Sequence, residues 1–180
     1  MNASVPSRRS ALALLAVATG LGGCGFALRK PPRYAFGTIY LSLPAGSSLR
    51  ASLTRSLEFS SDVRVLPESG DMLSADVVLE IQSETREKVV AGLNAAGQVR
   101  EFLLRLRMRF RLRTPRGVEL IPMTELALER EIGFAESAAL AKEEEEALLY
   151  RDMRQDMQQQ ILRRLAAVRD LRAPSQTPAR

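Results

Sequence analysis

The chain has 180 residues, with 26 lysines and arginines against 21 acids, one cysteine and no histidine. Without histidine, and with a single thiol, neither Ser/His/Asp nor Cys/His nucleophile systems can be assembled, and zinc sites of the usual His and Cys kind are excluded. No enzyme activity, metal or cofactor is expected, and a net charge of +5 is mild enough that the placement of charge matters more than its sum.

Residues 1–23 follow the plan of a removable secretory signal. Arg8 and Arg9 supply the positive start, and Ala11 to Leu21 is an uncharged run. Its length falls within the roughly 7–15 residues of a signal's apolar region and short of the about 20 needed to span a bilayer. The run ends in Leu21-Gly22-Gly23-Cys24, which resembles the bacterial lipobox, in which small residues precede an acylated cysteine. Cys24 is the lone cysteine, so it has no internal disulfide partner and is expected to carry the lipid. Each buried acyl methylene contributes on the order of 0.8 kcal/mol, so several chains hold a protein on a membrane essentially permanently. Gly25 rather than aspartate after the cysteine points to onward sorting to the outer membrane.

Residues 24–35 read as a lipidated basic tether, stiffened by Pro31 and Pro32. Phe36 to Leu43 alternates and predicts a first strand, bounded by Pro44 and Gly46. Leu49, Leu53 and Leu57 form one stripe of a helix that Ser47 or Ser48 can cap. Val63 to Leu66 is either a short strand or an extended connection. Ala75 to Ala91 predicts a long strand that outruns the sheet, and Asn94 to Gly97 supplies the turn of a hairpin with Val99 to Arg113. Thr114-Pro115-Arg116-Gly117 turns the chain again, and Val118 to Phe134 returns as a strand in which Pro122 marks a bulge or an unpaired edge. Ser137 to Leu171 predicts one long helix with a stripe of Leu149, Met153, Met157, Ile161, Leu165 and Val168. The expected fold is a two-layer α+β domain over residues 36–172, a four-stranded, largely antiparallel (mixed) sheet with two helices on one face, followed by a disordered tail at 173–180.

The most informative stretch of the mature chain lies in the second hairpin strand. Leu104, Leu106, Met108, Phe110 and Leu112 alternate with Arg105, Arg107, Arg109, Arg111 and Arg113. Period two puts the apolar set on a core and the guanidinium groups on the opposite face, about 7 Å apart along the strand. Such a row is either a solvated outer face paired with glutamates such as Glu80, Glu84 or Glu129, or a surface for an anionic ligand or an acidic protein wall. Nucleic acid is not expected, because no aromatic residues interleave with the arginines for base stacking. Lys142, just ahead of four glutamates, is explained by charge pairs within its helix.

Three stretches give the chain a resemblance to the LptE family of outer-membrane LPS-assembly lipoproteins: Gly23-Cys24-Gly25-Phe26-Ala27-Leu28-Arg29; Ala139-Leu140-Ala141-Lys142 with Glu146, Leu149-Tyr150-Arg151-Asp152-Met153 and Ile161-Leu162-Arg163-Arg164-Leu165; and, more weakly, Gly97-Gln98. The resemblance implies a protein that plugs an LptD-type outer-membrane β-barrel, helps it assemble, and binds lipopolysaccharide during export. It implies the same fold, and it puts Lys142 at the position of an LPS-associated lysine. The family's arginine two residues before the Gly-Gln turn is Ala95 here. From the resemblance and the residues together, Lys142 and Arg105, Arg107, Arg109, Arg111 and Arg113 are the candidate LPS contacts. The alternative is a free-standing periplasmic lipoprotein that binds anionic glycolipid without a barrel.

Overall fold

A computed structural model describes residues 32–43, 47–60, 63–135 and 139–172. The signal, Cys24 with its motif, the tether up to Pro31, the Pro44–Gly46 turn, Ser137 and the tail at 173–180 lie outside the described residues. Among those described, no helix is long and apolar enough to cross a membrane.

The elements run β1 (Thr38–Ser42), α1 (Ser48–Ser60), β2 (Arg64–Val65), a single 3-10 turn (Met72–Ser74), β3 (Val77–Leu93), β4 (Val99–Arg113), β5 (Glu119–Gly133) and α2 (Ala139–Ala167). They build one mixed sheet of order β2-β1-β3-β4-β5. It has five strands, not the expected four. The extra strand is the Val63–Leu66 segment, which pairs parallel to β1. The Arg64 and Leu66 N–H groups donate to the Gly37 and Ile39 carbonyls at 2.8 and 2.9 Å. A two-residue edge strand ahead of Pro67 has no room to show an alternation, so its sequence carries almost no strand signal.

β1 runs parallel to both neighbours, while β3, β4 and β5 are successive antiparallel hairpins. Both hairpin turns place a glycine at positive φ, Gly97 at 77° and Gly117 at 93°, where a Cβ would be strained. Asp76 fastens the start of β3 to β1: its carboxylate accepts from the Gly37 and Thr38 N–H groups at 2.9 and 2.8 Å, and its own N–H donates to the Thr38 hydroxyl at 2.9 Å.

Both helices pack on one face of the sheet. Ile39 and Leu41 of β1, Val77 and Leu79 of β3, and Leu104, Leu106, Met108, Phe110 and Leu112 of β4 are fully buried in one cluster with Leu53, Leu57, Met153, Met157, Ile161 and Leu165 of the helices. This is the face that the alternation in β4 and the two helical stripes predict. The Ser47 carbonyl accepts the Ala51 N–H at the head of α1. α2 ends at Ala167, short of the expected Leu171, with its exit tightened by a Val168 N–H to Leu165 carbonyl bond at 3.2 Å.

β3 departs from simple alternation. Ile81 pairs with Phe110 but Ser83 pairs with Arg109, so Gln82 is an extra residue, a bulge. Because side chains alternate, one extra residue exchanges the faces of everything beyond it. Val77, Leu79 and Ile81 share the helix side before the bulge; after it, Glu84, Arg86 and Lys88 take that side and Thr85 and Glu87 join the arginine face.

Leu106→Ala, at a fully buried β4 position, is expected to cost about 2–5 kcal/mol in urea unfolding, and Arg107→Ala, one residue along, about 1 kcal/mol or less. Equal losses would contradict the assignment of the two faces.

Candidate functional site

The arginine row lies along the middle of the outer sheet face, flanked by β3 and β5, and four of its five members are engaged by glutamates. Arg105 donates to Glu129 of β5 at 2.5 Å and to Glu87 of β3 at 3.3 Å. Arg107 approaches the other oxygen of Glu87 at 3.6 Å. Arg111 and Arg113 converge on Glu80 of β3, at 2.5 and 2.6 Å, and Arg111 also lies 3.7 Å from Glu119. Arg113 further donates to the Thr114 carbonyl at 3.1 Å and reaches the Met72 sulfur at 3.6 Å. Arg109 is exposed, stands opposite Glu125 in register, and forms no ion pair among the described residues. The face is therefore nearly charge-balanced.

Burial opposes ionisation of Glu80, but the hydrogen bonds and charges of Arg111 and Arg113 outweigh it and hold the carboxyl below the usual glutamate range. The Glu129 carboxylate, and after it Glu87, holds the Arg105 guanidinium still more firmly protonated. The expected pairing of Glu80 and Glu129 with the row is present. Glu84 differs: the bulge turns it to the helix side, where it accepts two hydrogen bonds from Arg154 of α2 at 3.0 and 3.1 Å.

The helix side beyond the bulge is a second polar system. Lys88 donates to Glu146 at 2.6 Å and lies 4.4 Å from the centre of the Phe102 ring. The Arg86 guanidinium sits 5.4 Å over the Tyr150 ring, and the Tyr150 hydroxyl donates to the Glu87 carbonyl at 2.7 Å. The motif residue Tyr150 thus ties α2 to β3. Lys142, in the first turn of α2, donates to Glu145 at 2.7 Å and stays partly open to solvent. The structure does not bring Lys142 together with the arginine row: the row is on the outer sheet face and Lys142 is on a helix of the other layer.

Sequence reading did not single out the groove between α1 and α2, about 500 Å³ in volume, lined by serines and Arg55 of α1 and by Arg151, Arg154 and glutamines of α2. Its signal was legible only on the polar faces opposite the leucine and methionine stripes. Nearly buried Gln158 joins the helices beneath it, donating to the Ser52 carbonyl at 3.2 Å and the Ser56 hydroxyl at 2.8 Å.

Glu80→Gln is expected to lower stability by about 1–2 kcal/mol at neutral pH. Because the folded pKa of Glu80 is depressed, its contribution is present above the unfolded value of about 4.3 and is lost as pH falls through the lower folded value. Urea midpoints of the two proteins should therefore converge below about pH 4; a gap that stays constant into acid would contradict the role of the carboxylate charge.

The comparisons with known proteins agree with this architecture. The family model described as LptE, lipopolysaccharide-assembly, matches residues 36–165. The solution structure of an uncharacterized lipoprotein B from Nitrosomonas europaea is 33% identical, with a TM-score of 0.67, over 79% of this chain and 91% of that one. The crystal structure of rare lipoprotein B from Shewanella oneidensis, 20% identical, shares the fold with a TM-score of 0.59 over 72% of this chain and 94% of that one. The minor lipoprotein from Acinetobacter baumannii, also 20% identical, does so with a TM-score of 0.57 over 75% and 94%. No curated protein sequence matches. With the match spanning nearly the whole folded domain, the chain belongs to the LptE family of envelope lipoproteins, whose role in lipopolysaccharide assembly is non-enzymatic.

Proposed function

We propose that this protein is held in the outer membrane by acyl chains on Cys24, seats its domain from the periplasmic side in the lumen of an LptD-type β-barrel, assists assembly of that barrel, and binds lipopolysaccharide in transit to the cell surface. The observation that carries this reading is the family match over residues 36–165. The charge-balanced sheet face supports the plug. A water-lined barrel presents polar side chains to its interior, and a surface of interleaved arginines and glutamates meets such a wall without burying an unpaired charge.

In this reading Arg105, Arg107, Arg111 and Arg113, already committed to glutamates, face the lumen wall. Arg109, the member of the row with no ion pair among the described residues, stands opposite Glu125 on that same face and meets the wall with the others, while the lipid A phosphates are met on the helix side by Lys142. Lys142 gives up one partly solvated ion pair with Glu145 to do so, at a cost of about 1 kcal/mol or less.

A carboxyl-terminally tagged chain, extracted from outer membranes in mild detergent, is expected to bring down a large β-barrel in equal amount together with lipopolysaccharide. Lys142→Ala should reduce the lipopolysaccharide several-fold and leave the barrel in place. Recovery of the chain alone, from membranes that contain the barrel, would overturn the plug and favour a free-standing periplasmic glycolipid binder.

A further inference from the structure

Of the surfaces left over by the barrel-facing sheet and Lys142, the groove between α1 and α2 carries the clearest chemistry. The side chains that line it are those of arginine, serine and glutamine, and no aspartate or glutamate lines it. Elsewhere the pattern is different: most arginines of the sheet face are clamped by carboxylates, and the hollow between β3 and the head of α2 mixes Arg86 and Lys88 with Glu143 and Glu146. Among the described residues Arg55 and Arg151 form no ion pair, and both are exposed. Arg154 is fixed in position by Glu84, whose carboxylate also lies 3.5 Å from Arg86, so Arg154 is not counted among the unpaired charges. Two positive charges therefore remain uncompensated in one concave space.

Other features narrow the ligand. Ser48, the first residue of α1, also lines the groove, so one part of its wall carries the partial positive charge of a helix amino end. The groove's volume, about 500 Å³, falls within the range of small-ligand sites. Its floor is braced, because Gln158 bonds both helices together. A phosphate monoester carries about −1.5 to −2 charge near neutral pH with several strong acceptor oxygens, matching two guanidinium groups flanked by the exposed amides of Gln155 and Gln159. A single carboxylate would leave one of the two charges unpaired.

We propose that the α1–α2 groove is a phosphate-binding site in which Arg55 and Arg151 hold a phosphate ester, Arg154 is a pre-positioned third donor, and Gln155 and Gln159 supply neutral hydrogen bonds. The geometry alone names the phosphate; that a glycolipid headgroup carries it rests on the function proposed above.

The test uses the full chain in detergent micelles, titrated calorimetrically with a glucosamine disaccharide bisphosphate, with the same disaccharide lacking phosphate, and with inorganic phosphate. The double variant Arg55→Gln/Arg151→Gln is expected to lose about tenfold or more in affinity for the bisphosphate. Arg100→Gln/Arg116→Gln, which removes equal charge outside the groove, should change it by no more than about threefold. The thermal midpoint of each variant is measured beside wild type to confirm folding. Tighter binding of the disaccharide bisphosphate than of inorganic phosphate supports the site and assigns it to a headgroup; equal binding supports it as a site for free phosphate. Undiminished affinity in the groove variant, or equal binding of the phosphate-free disaccharide, overturns the proposal. Loss of the barrel from wild-type extracts would sink the plug reading and leave these titrations standing. A groove variant that still retains both barrel and lipopolysaccharide would sink the groove as a lipopolysaccharide site and leave the plug reading intact.

Discussion

Five guanidinium groups on alternate residues of one strand repel one another unless something answers them, and the architecture is arranged around that constraint. β4 lies between the two other long strands, so glutamates reach its arginines from both sides: Glu80 and Glu87 from β3, Glu119 and Glu129 from β5. These pairs are partly solvated and each contributes modestly to stability. Their larger effect is on what the face can do. A bare row would attract almost any anion, whereas a row already matched discriminates by shape and by the few charges left over. Meanwhile the other face of the same strand supplies five fully buried side chains to the core, so the strand that holds the layers together also sets the polarity of the outer surface.

The single extra residue at Gln82 links that surface to the helices. Before the bulge β3 contributes apolar side chains beneath the helices; after it, Glu84, Arg86 and Lys88 turn to the same side and meet Arg154, Tyr150 and Glu146 of α2. The bulge also delivers Glu87 to the arginine face, where it meets Arg105 and Arg107. Arg154, pinned by Glu84, then forms part of the groove between the helices. One backbone irregularity thus balances the sheet face and pre-positions a groove side chain.

Much of the fold was legible because the relevant signals are local. The alternation of leucines and arginines in β4, the turn chemistry at Asn94–Gly97 and Thr114–Gly117, and the stripe from Leu149 to Leu165 each name an element and its buried face. β2 was not legible, since a two-residue strand is created by its neighbour β1 and not by a pattern of its own. The register shift at Gln82 was equally hidden, because the sequence around it contains no glycine or proline to mark a bulge, and the assignment of Glu84 to the arginine row failed with it. Of the stretches that carry the family resemblance, Gly23–Arg29 lies outside the described residues, while in the helix stretch Tyr150 ties α2 to β3, Arg151 lines the groove, and Lys142 stands on the first turn of α2. Arg55 gave no signal, because its role depends on two helices nearly a hundred residues apart meeting side by side.

In the proposed function the two sides of the domain have different partners: the balanced sheet face meets a protein wall, and the helix side meets an anionic lipid. Site-specific photocrosslinking in intact outer membranes tests this most directly, with the photoreactive residue placed either at Ala127, in the middle of the outer sheet face opposite Arg107, or at Gln159, on the wall of the helix groove. Crosslinks from position 127 to a β-barrel protein and from position 159 to lipopolysaccharide are the expected result. Lipopolysaccharide captured at position 127, with only barrel protein at position 159, would contradict it.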